Sequence, residues 1–171
     1  MKLQIIRYPD KKLREVSHRV TSFDASLHSF LDELYGVMLE SNGIGLAAIQ
    51  VSKAVRVFII NLPDEDGNQL EENKIEFINP VIVSSDGSVE YEEGCLSVPR
   101  FYESIERYES IELEYRDRDN LKKSLSADGL LSIAIQHELD HLDGKLFIDK
   151  LSYSRRKKFE KEYKQAQKSR S

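Results

Sequence analysis

The segment 130–142 constrains the fold more than any other. Leu130, Ile133 and Ala134 lead at helical spacing to His137 and His141, and a second apolar row runs beside them through Leu131, Ile135, Leu139 and Leu142. A helix with apolar cover on both rows belongs in the centre of a domain, with other layers wrapped around it. Yet this helix carries Gln136-His137-Glu138-Leu139-Asp140-His141. Imidazoles and carboxylates at that depth are costly unless they are hydrogen-bonded or coordinated. Histidines at i and i+4 share one helical face and can hold a single metal, with Glu138 able to reach a water beside it. The competing reading is a polar network that fixes the helix, its imidazoles satisfied by carbonyl groups. His18, in a charged stretch, and His28, on the polar side of an earlier helix, are expected to have ordinary surface roles.

A four-coordinate catalytic site takes three protein ligands and leaves one position open. No histidine or cysteine follows His141, so Asp143, Asp149 and the chain's single cysteine, Cys95, are the candidates for the third. Cys95 sits in Glu93-Gly94-Cys95-Leu96-Ser97-Val98-Pro99, where Gly94 permits close backbone approach and Pro99 stiffens the exit. A third unusual segment is Gly43-Ile44-Gly45-Leu46-Ala47-Ala48-Ile49-Gln50. Its small residues indicate tight backbone packing, but no Lys-Ser/Thr follows the glycines, so it is a poor nucleotide loop. Gln50 is either a buried amide or a donor to a substrate.

The remaining pattern predicts an α+β domain, with short antiparallel and mixed strands packed around the central metal-binding helix and a basic helix at the C-terminus. Leu3, Ile5 and Ile6 form a short extended piece ended by Pro9-Asp10. Asp24 caps a helix with Leu27, Phe30, Leu31, Leu34 and Met38 on one stripe, stopped by Asn42-Gly43. Strands are expected at 55–60, 75–78 and 81–83, with a polar loop over 61–73, and 104–115 alternates as an antiparallel strand broken near its middle. Ser126 or Asp128 caps the central helix, and the last helix, 153–168, docks through Phe159 and Tyr163.

At 171 residues with 40% hydrophobic and 32% charged side chains, the chain suits one folded domain rather than a disordered segment. Residues 1–151 form the expected catalytic metallohydrolase domain and 152–171 a basic helical extension of it. No apolar run approaches a membrane span, Met1-Lys2-Leu3-Gln4 opens no hydrophobic leader, and one cysteine excludes an intrachain disulfide. A cytoplasmic location is therefore expected. The net charge of −5 is uneven: 152–171 hold eight Lys/Arg against two Glu, a local +6, so the other residues carry −11. Such a tail is either a solvated helix end or a surface for an anionic partner such as RNA.

The three segments, in their order along the chain from 43–50 through 93–97 to 136–141, resemble the signature motifs of the peptide deformylase family, and Tyr8-Pro9-Asp10 is similar to its opening; the likeness covers roughly 3–150. The resemblance implies removal of the N-terminal formyl group from formyl-methionyl peptides and nascent chains, with release of formate. It makes Cys95, His137 and His141 the metal ligands, Glu138 the acid/base, and Gln50 with the Leu96 N–H the oxyanion donors. Ile44, Gly45, Tyr91, Leu130, Ile133 and Ala134 fall at the substrate pocket. It favours Fe²⁺ in the cell, with Ni²⁺, Co²⁺ or Zn²⁺ able to occupy the site, a monomer, and a possible ribosome contact through the C-terminal helix. Two positions depart from the pattern: Arg100 stands where many members have glycine, and Tyr102 where some have arginine. The rival functions are a metallopeptidase and a nonenzymatic ribosome-associated protein with a structural metal.

Overall fold

Asp24 starts the first helix, α1 (Ala25–Glu40), by accepting the Leu27 N–H at 3.0 Å, and Asn42 at φ 58° follows its end. Leu27, Leu31, Leu34 and Met38 turn inward as the stripe requires, with Phe30 half-buried beside them. The structure, a computed structural model, describes residues 2–169. Its other main elements are β1 (Gly45–Ala47), β2 (Val57–Ile60), β3 (Ile75–Asp86), β4 (Val89–Cys95), β5 (Val98–Arg107), β6 (Ser110–Arg116), β7 (Lys122–Asp128), α2 (Gly129–Leu142) and α3 (Tyr153–Lys168).

Five antiparallel strands form one sheet in the order β1-β2-β3-β6-β7, and β4-β5 form a separate hairpin. Strand β2 is buried along its whole length because the sheet is covered on both faces. Val57 and Ile59 join α1, while Phe58 and Ile60 join Ile135 and Leu142 of α2. That explains the unbroken Val-Phe-Ile-Ile run, since a strand covered on one face only would alternate. A third cluster lies under the hairpin, where Val98 and Ile105 meet Leu146, Phe147, Phe159 and Tyr163. Helix α3 thus docks through Phe159 and Tyr163 as the stripe indicated. The Tyr163 hydroxyl donates to the Tyr8 carbonyl, which holds the helix against the N-terminal segment.

Two readings of the sequence need correction, and a third narrows to one of its alternatives. The pieces expected at 75–78 and 81–83 are one strand, β3, whose register shifts at Asn79-Pro80 without ending it. Residues 104–115 do not form a single interrupted strand: Tyr108-Glu109 separate β5 from β6, which lie in different sheets. At the start of α2 the cap position is Asp128, without a side-chain hydrogen bond, while Ser126 belongs to β7. His18 is exposed, and His28 Nε2 lies 2.8 Å from the Arg118 carbonyl, so neither approaches the central helix site.

Candidate metal centre and active site

Each part of the site comes from a different layer. The end of β4 supplies Cys95, α2 supplies His137, Glu138 and His141, and the short 3-10 turn after β1 supplies Gln50. The ligand atoms of Cys95, His137 and His141 all lie within 4.8 Å of one another, and Cys95 Sγ is 3.4 Å from His141 Nε2. Tetrahedral bonds of ~2.3 Å to sulfur and ~2.0–2.1 Å to nitrogen place those two atoms about 3.6 Å apart, so one ion fits between them. Asp143 and Asp149 are occupied elsewhere, by Arg56 and Arg14. A thiolate with two imidazoles suits zinc or ferrous iron, and together they form a divalent-metal site.

His137 Nδ1 is 2.9 Å from Glu93 Oε1, leaving Nε2 as the nitrogen available to an ion. Glu93 also receives Nε and Nη2 of Arg107 at 2.6 and 2.8 Å, and Arg107 Nη1 reaches Asp140 Oδ2 at 2.7 Å. The Glu93 and Arg107 side chains are only 4% and 2% exposed. Burial alone would raise the Glu93 pKa, but its hydrogen bonds to Arg107 and His137 hold the carboxyl below its usual range. Arg107 escaped sequence reasoning altogether. Its signal was a charged residue at the inward phase of β5, two positions after buried Ile105.

The two imidazoles diverge electrostatically. Burial opposes protonation of both. Contacts with Cys95 and Glu93 overcome it at His137, whose pKa is raised, whereas burial and the neighbouring His137 charge keep His141 well below the usual value. Among the described residues, Nδ1 of His141 is buried without a hydrogen-bond partner, as is Oε1 of Glu138. Burial is also the largest influence on Glu138, raising its pKa to about 7, with the charges of His137 and Arg107 opposing the rise.

Gln50 is 1% exposed and oriented from both ends. Its Oε1 accepts the Ala47 N–H at 2.9 Å, while Nε2 reaches Ser97 Oγ at 3.1 Å and Cys95 Sγ at 3.6 Å. Ser97 Oγ donates to the Ile6 carbonyl at 2.8 Å, which fixes the acceptor that Gln50 meets. Gly45 is needed for a steric reason: a Cβ there would lie 2.8 Å from Glu138 Oε2.

A cavity of about 340 Å³ opens onto these groups. Gln50, Cys95, Leu96, His137 and Glu138 border it, and so do Ile44, Gly45, Tyr91, Leu130, Ile133 and Ala134, every position expected at the pocket. His141 lies behind the wall, 1% exposed. A largely apolar cavity that ends on Cys95, His137 and the buried carboxyl of Glu138, with His141 directly behind, defines a mononuclear metallohydrolase.

Comparison with known proteins agrees. Residues 2–157 match the model of the family described as polypeptide deformylase. A peptide deformylase of Helicobacter pylori (strain G27) is 56% identical over 166 residues, covering 97% of this chain and 95% of the relative. That of Wolinella succinogenes is 52% identical over 165 residues, covering 96% and 97%. The crystal structure of a peptide deformylase from Legionella pneumophila superposes with a TM-score of 0.89 at 35% identity, covering 99% and 98% of the two chains. The chain belongs to the polypeptide deformylase family.

Proposed function

We propose that this cavity removes the formyl group from the N-terminus of formyl-methionyl peptides and nascent chains, releasing formate. The observation that carries the reading is Glu138, whose buried, unpartnered carboxylate oxygen borders the cavity beside the Cys95, His137 and His141 cluster. A bound divalent ion would supply Lewis-acid activation of water and of the formyl carbonyl. Cys95, His137 and His141 hold that ion. Glu138 takes a proton from the attacking water and delivers it to the departing amine. Gln50 Nε2 and the Leu96 N–H donate to the oxygen on which negative charge collects, stabilising it more than the ground-state carbonyl. Ile44, Tyr91, Leu130, Ile133 and Ala134 enclose the methionine side chain, whose burial contributes about 2 kcal/mol. Gly45 lets the peptide backbone approach at the cavity edge.

Ferrous iron is the ion we assign in the cell, on the family resemblance; one thiolate and two imidazoles also suit nickel, cobalt or zinc, so the ligand set alone does not choose among them. We read the enzyme as a monomer, as the family resemblance implies. Residues 1–151 carry the catalytic machinery. Helix α3, in 152–171, works as part of the same domain, because Phe159 and Tyr163 pack at 5.1 and 5.4 Å on Phe101 of the cavity border. No helix among the described residues is long and apolar enough to cross a membrane, which agrees with work in the cytoplasm.

The decisive assay is formate release from a formyl-methionyl peptide by anaerobically prepared, Fe²⁺-loaded protein, with the metal content measured in parallel. Absence of formate from fully loaded protein overturns the reading, and normal turnover by Glu138→Ala removes the proposed acid/base. The outer face of α3 is read as a contact for rRNA phosphates. Much of its positive charge is paired, Arg155 with Glu103 and Arg156 with Asp149 and Glu160, but Lys161 and Lys164 form no ion pair among the described residues. Ribosome cosedimentation at low salt that disappears when Lys161 and Lys164 become glutamates supports the contact; unchanged sedimentation removes it.

A further inference from the structure

The hairpin of β4 and β5 loses its one-to-one register beside the metal centre. Glu93 stands opposite Glu103 and Cys95 opposite Val98, so the single residue Gly94 faces the four residues 99–102. Surplus residues of this kind bend a strand and re-aim its side chains, and they concentrate next to active sites. Here the excursion lays the Tyr102 ring on Gly94, where an added Cβ would come within 2.5 Å of Tyr102 Cε1. It also puts Arg100 at φ 71°.

That conformation is uncommon for a long side chain. Among the described residues, the other non-glycine positions with positive φ are Asn42, Ser52, Asn79 and Asn120, all short polar types suited to turns and helix ends. Glycine would fit the Arg100 backbone with less strain. Arg100 nevertheless borders the catalytic cavity, is exposed, and forms no ion pair or side-chain hydrogen bond among the described residues. Among the other charged groups on the border, Glu93 is neutralised by Arg107, and Glu138 belongs to the reaction centre. Glu92 is the one further charge there without a partner among the described residues.

We propose that Arg100 is a specificity-determining residue whose guanidinium receives a carboxylate from the peptide just beyond the formylated methionine. Peptides with Asp or Glu in the next two positions are then turned over in preference to those with Lys or Arg. The proposal rests on the deformylase reading given above. A guanidinium fork matches a carboxylate in plane, so arginine suits the task better than a point charge. Because the pair forms at an exposed rim, the preference is modest, about twofold to fivefold in kcat/KM, and fades as salt is raised.

The test compares formate release from formyl-Met-Glu, formyl-Met-Gln and formyl-Met-Lys peptides by the metal-loaded wild type and by the Arg100→Gly, Arg100→Glu and Glu92→Gln variants. The wild type is expected to rank Glu above Gln above Lys. Arg100→Gly removes the advantage of the Glu peptide and leaves only the weaker pull of Glu92 towards Lys, Arg100→Glu reverses the order strongly, and Glu92→Gln in the wild-type background widens the gap. Since glycine tolerates this backbone, Arg100→Gly also keeps or raises the thermal unfolding midpoint, which separates lost selectivity from lost folding. If the wild type releases formate from all three peptides at equal kcat/KM, or Arg100→Gly keeps the wild-type ranking, the role of Arg100 is overturned and the deformylase reading stands. If metal-loaded wild type releases formate from none of them, both are overturned.

Discussion

Glu93 Oε1 lies 2.9 Å from His137 Nδ1, and the same carboxylate takes two nitrogens of Arg107 at 2.6 and 2.8 Å. Of the two ligands on α2, His137 is thereby oriented by β4 and β5, through charges with almost no contact with water. Breaking either half has a different consequence. Glu93→Gln keeps the shape but removes the charge that fixes the His137 tautomer, and metal affinity should fall about 10- to 100-fold. Titration of the folded variant with a competing chelator measures this; an unchanged affinity would show that the contact does not orient the ligand. Arg107→Met removes the guanidinium that balances buried Glu93, leaving it only His137, and should cost about 3–5 kcal/mol in urea unfolding.

Gly45→Ala should act on chemistry rather than on metal retention. The new methyl group would sit 2.8 Å from Glu138 Oε2 and 3.3 Å from its Cδ, and Glu138, at 5% exposure, has little room to withdraw. A displacement of about 1 Å at a reacting group costs on the order of 100-fold in rate. The expected outcome is a fall in kcat of that size with metal content unchanged, read by steady-state assay and metal analysis on one preparation. Wild-type kcat would show that the carboxylate tolerates the intrusion.

Much of the helical framework was legible because its signals are local. Asp24 and the Leu27–Met38 stripe need no partner to be read, and neither do the paired rows of α2 or Phe159 and Tyr163 on α3. The strands that escaped notice are β1, three small or apolar residues long, β4, rich in glutamate, and β7, a polar edge strand opening with Lys122-Lys123. Their pairing depends on partners elsewhere in the chain and leaves little apolar periodicity. The metal ligands could be named because Cys95 and the two histidines have few chemical substitutes. Ser97 and Arg107 act through side-chain contacts 47 and 14 positions away, to Gln50 and Glu93, and no local pattern announces those.

The Arg14–Asp149 pair should give part of the fold an acid dependence. Burial alone would raise the Asp149 carboxyl, but hydrogen bonds from Arg14 and the Leu146 N–H, with the nearby Arg156 charge, hold it below the usual range. A depressed carboxylate contributes stability that is complete above its unfolded pKa, about 3.9, and is lost as pH falls through the lower folded value. Arg14 is 37% exposed, so solvent screening limits the contribution to about 1 kcal/mol. Urea unfolding of wild type and Asp149→Asn should differ by that amount at pH 7 and converge as the pH falls through the lowered folded value of Asp149. A gap that persists in acid would mean the charge is not its source.

Phe159→Ala should destabilise the whole domain. The ring is 1% exposed and meets Tyr8 at 5.5 Å, Phe101 at 5.1 Å and Tyr163 at 5.6 Å. Its removal should cost about 3–5 kcal/mol in a single cooperative transition. Loss of α3 alone, with the remaining transition unmoved, would mark residues 152–171 as a separate unit.

The irregular backbone at 5–8 has a practical consequence for anyone who re-engineers the chain. The Ile6 N–H donates to the Gln50 carbonyl, the Tyr8 N–H to that of Ser97, and the Ile6 carbonyl receives the Ser97 hydroxyl. These residues therefore act as a strap across two loops that never touch them in sequence. Trimming them would remove no reacting group and still free Gln50 to swing, so a shortened variant could bind its ion and yet be a poor catalyst.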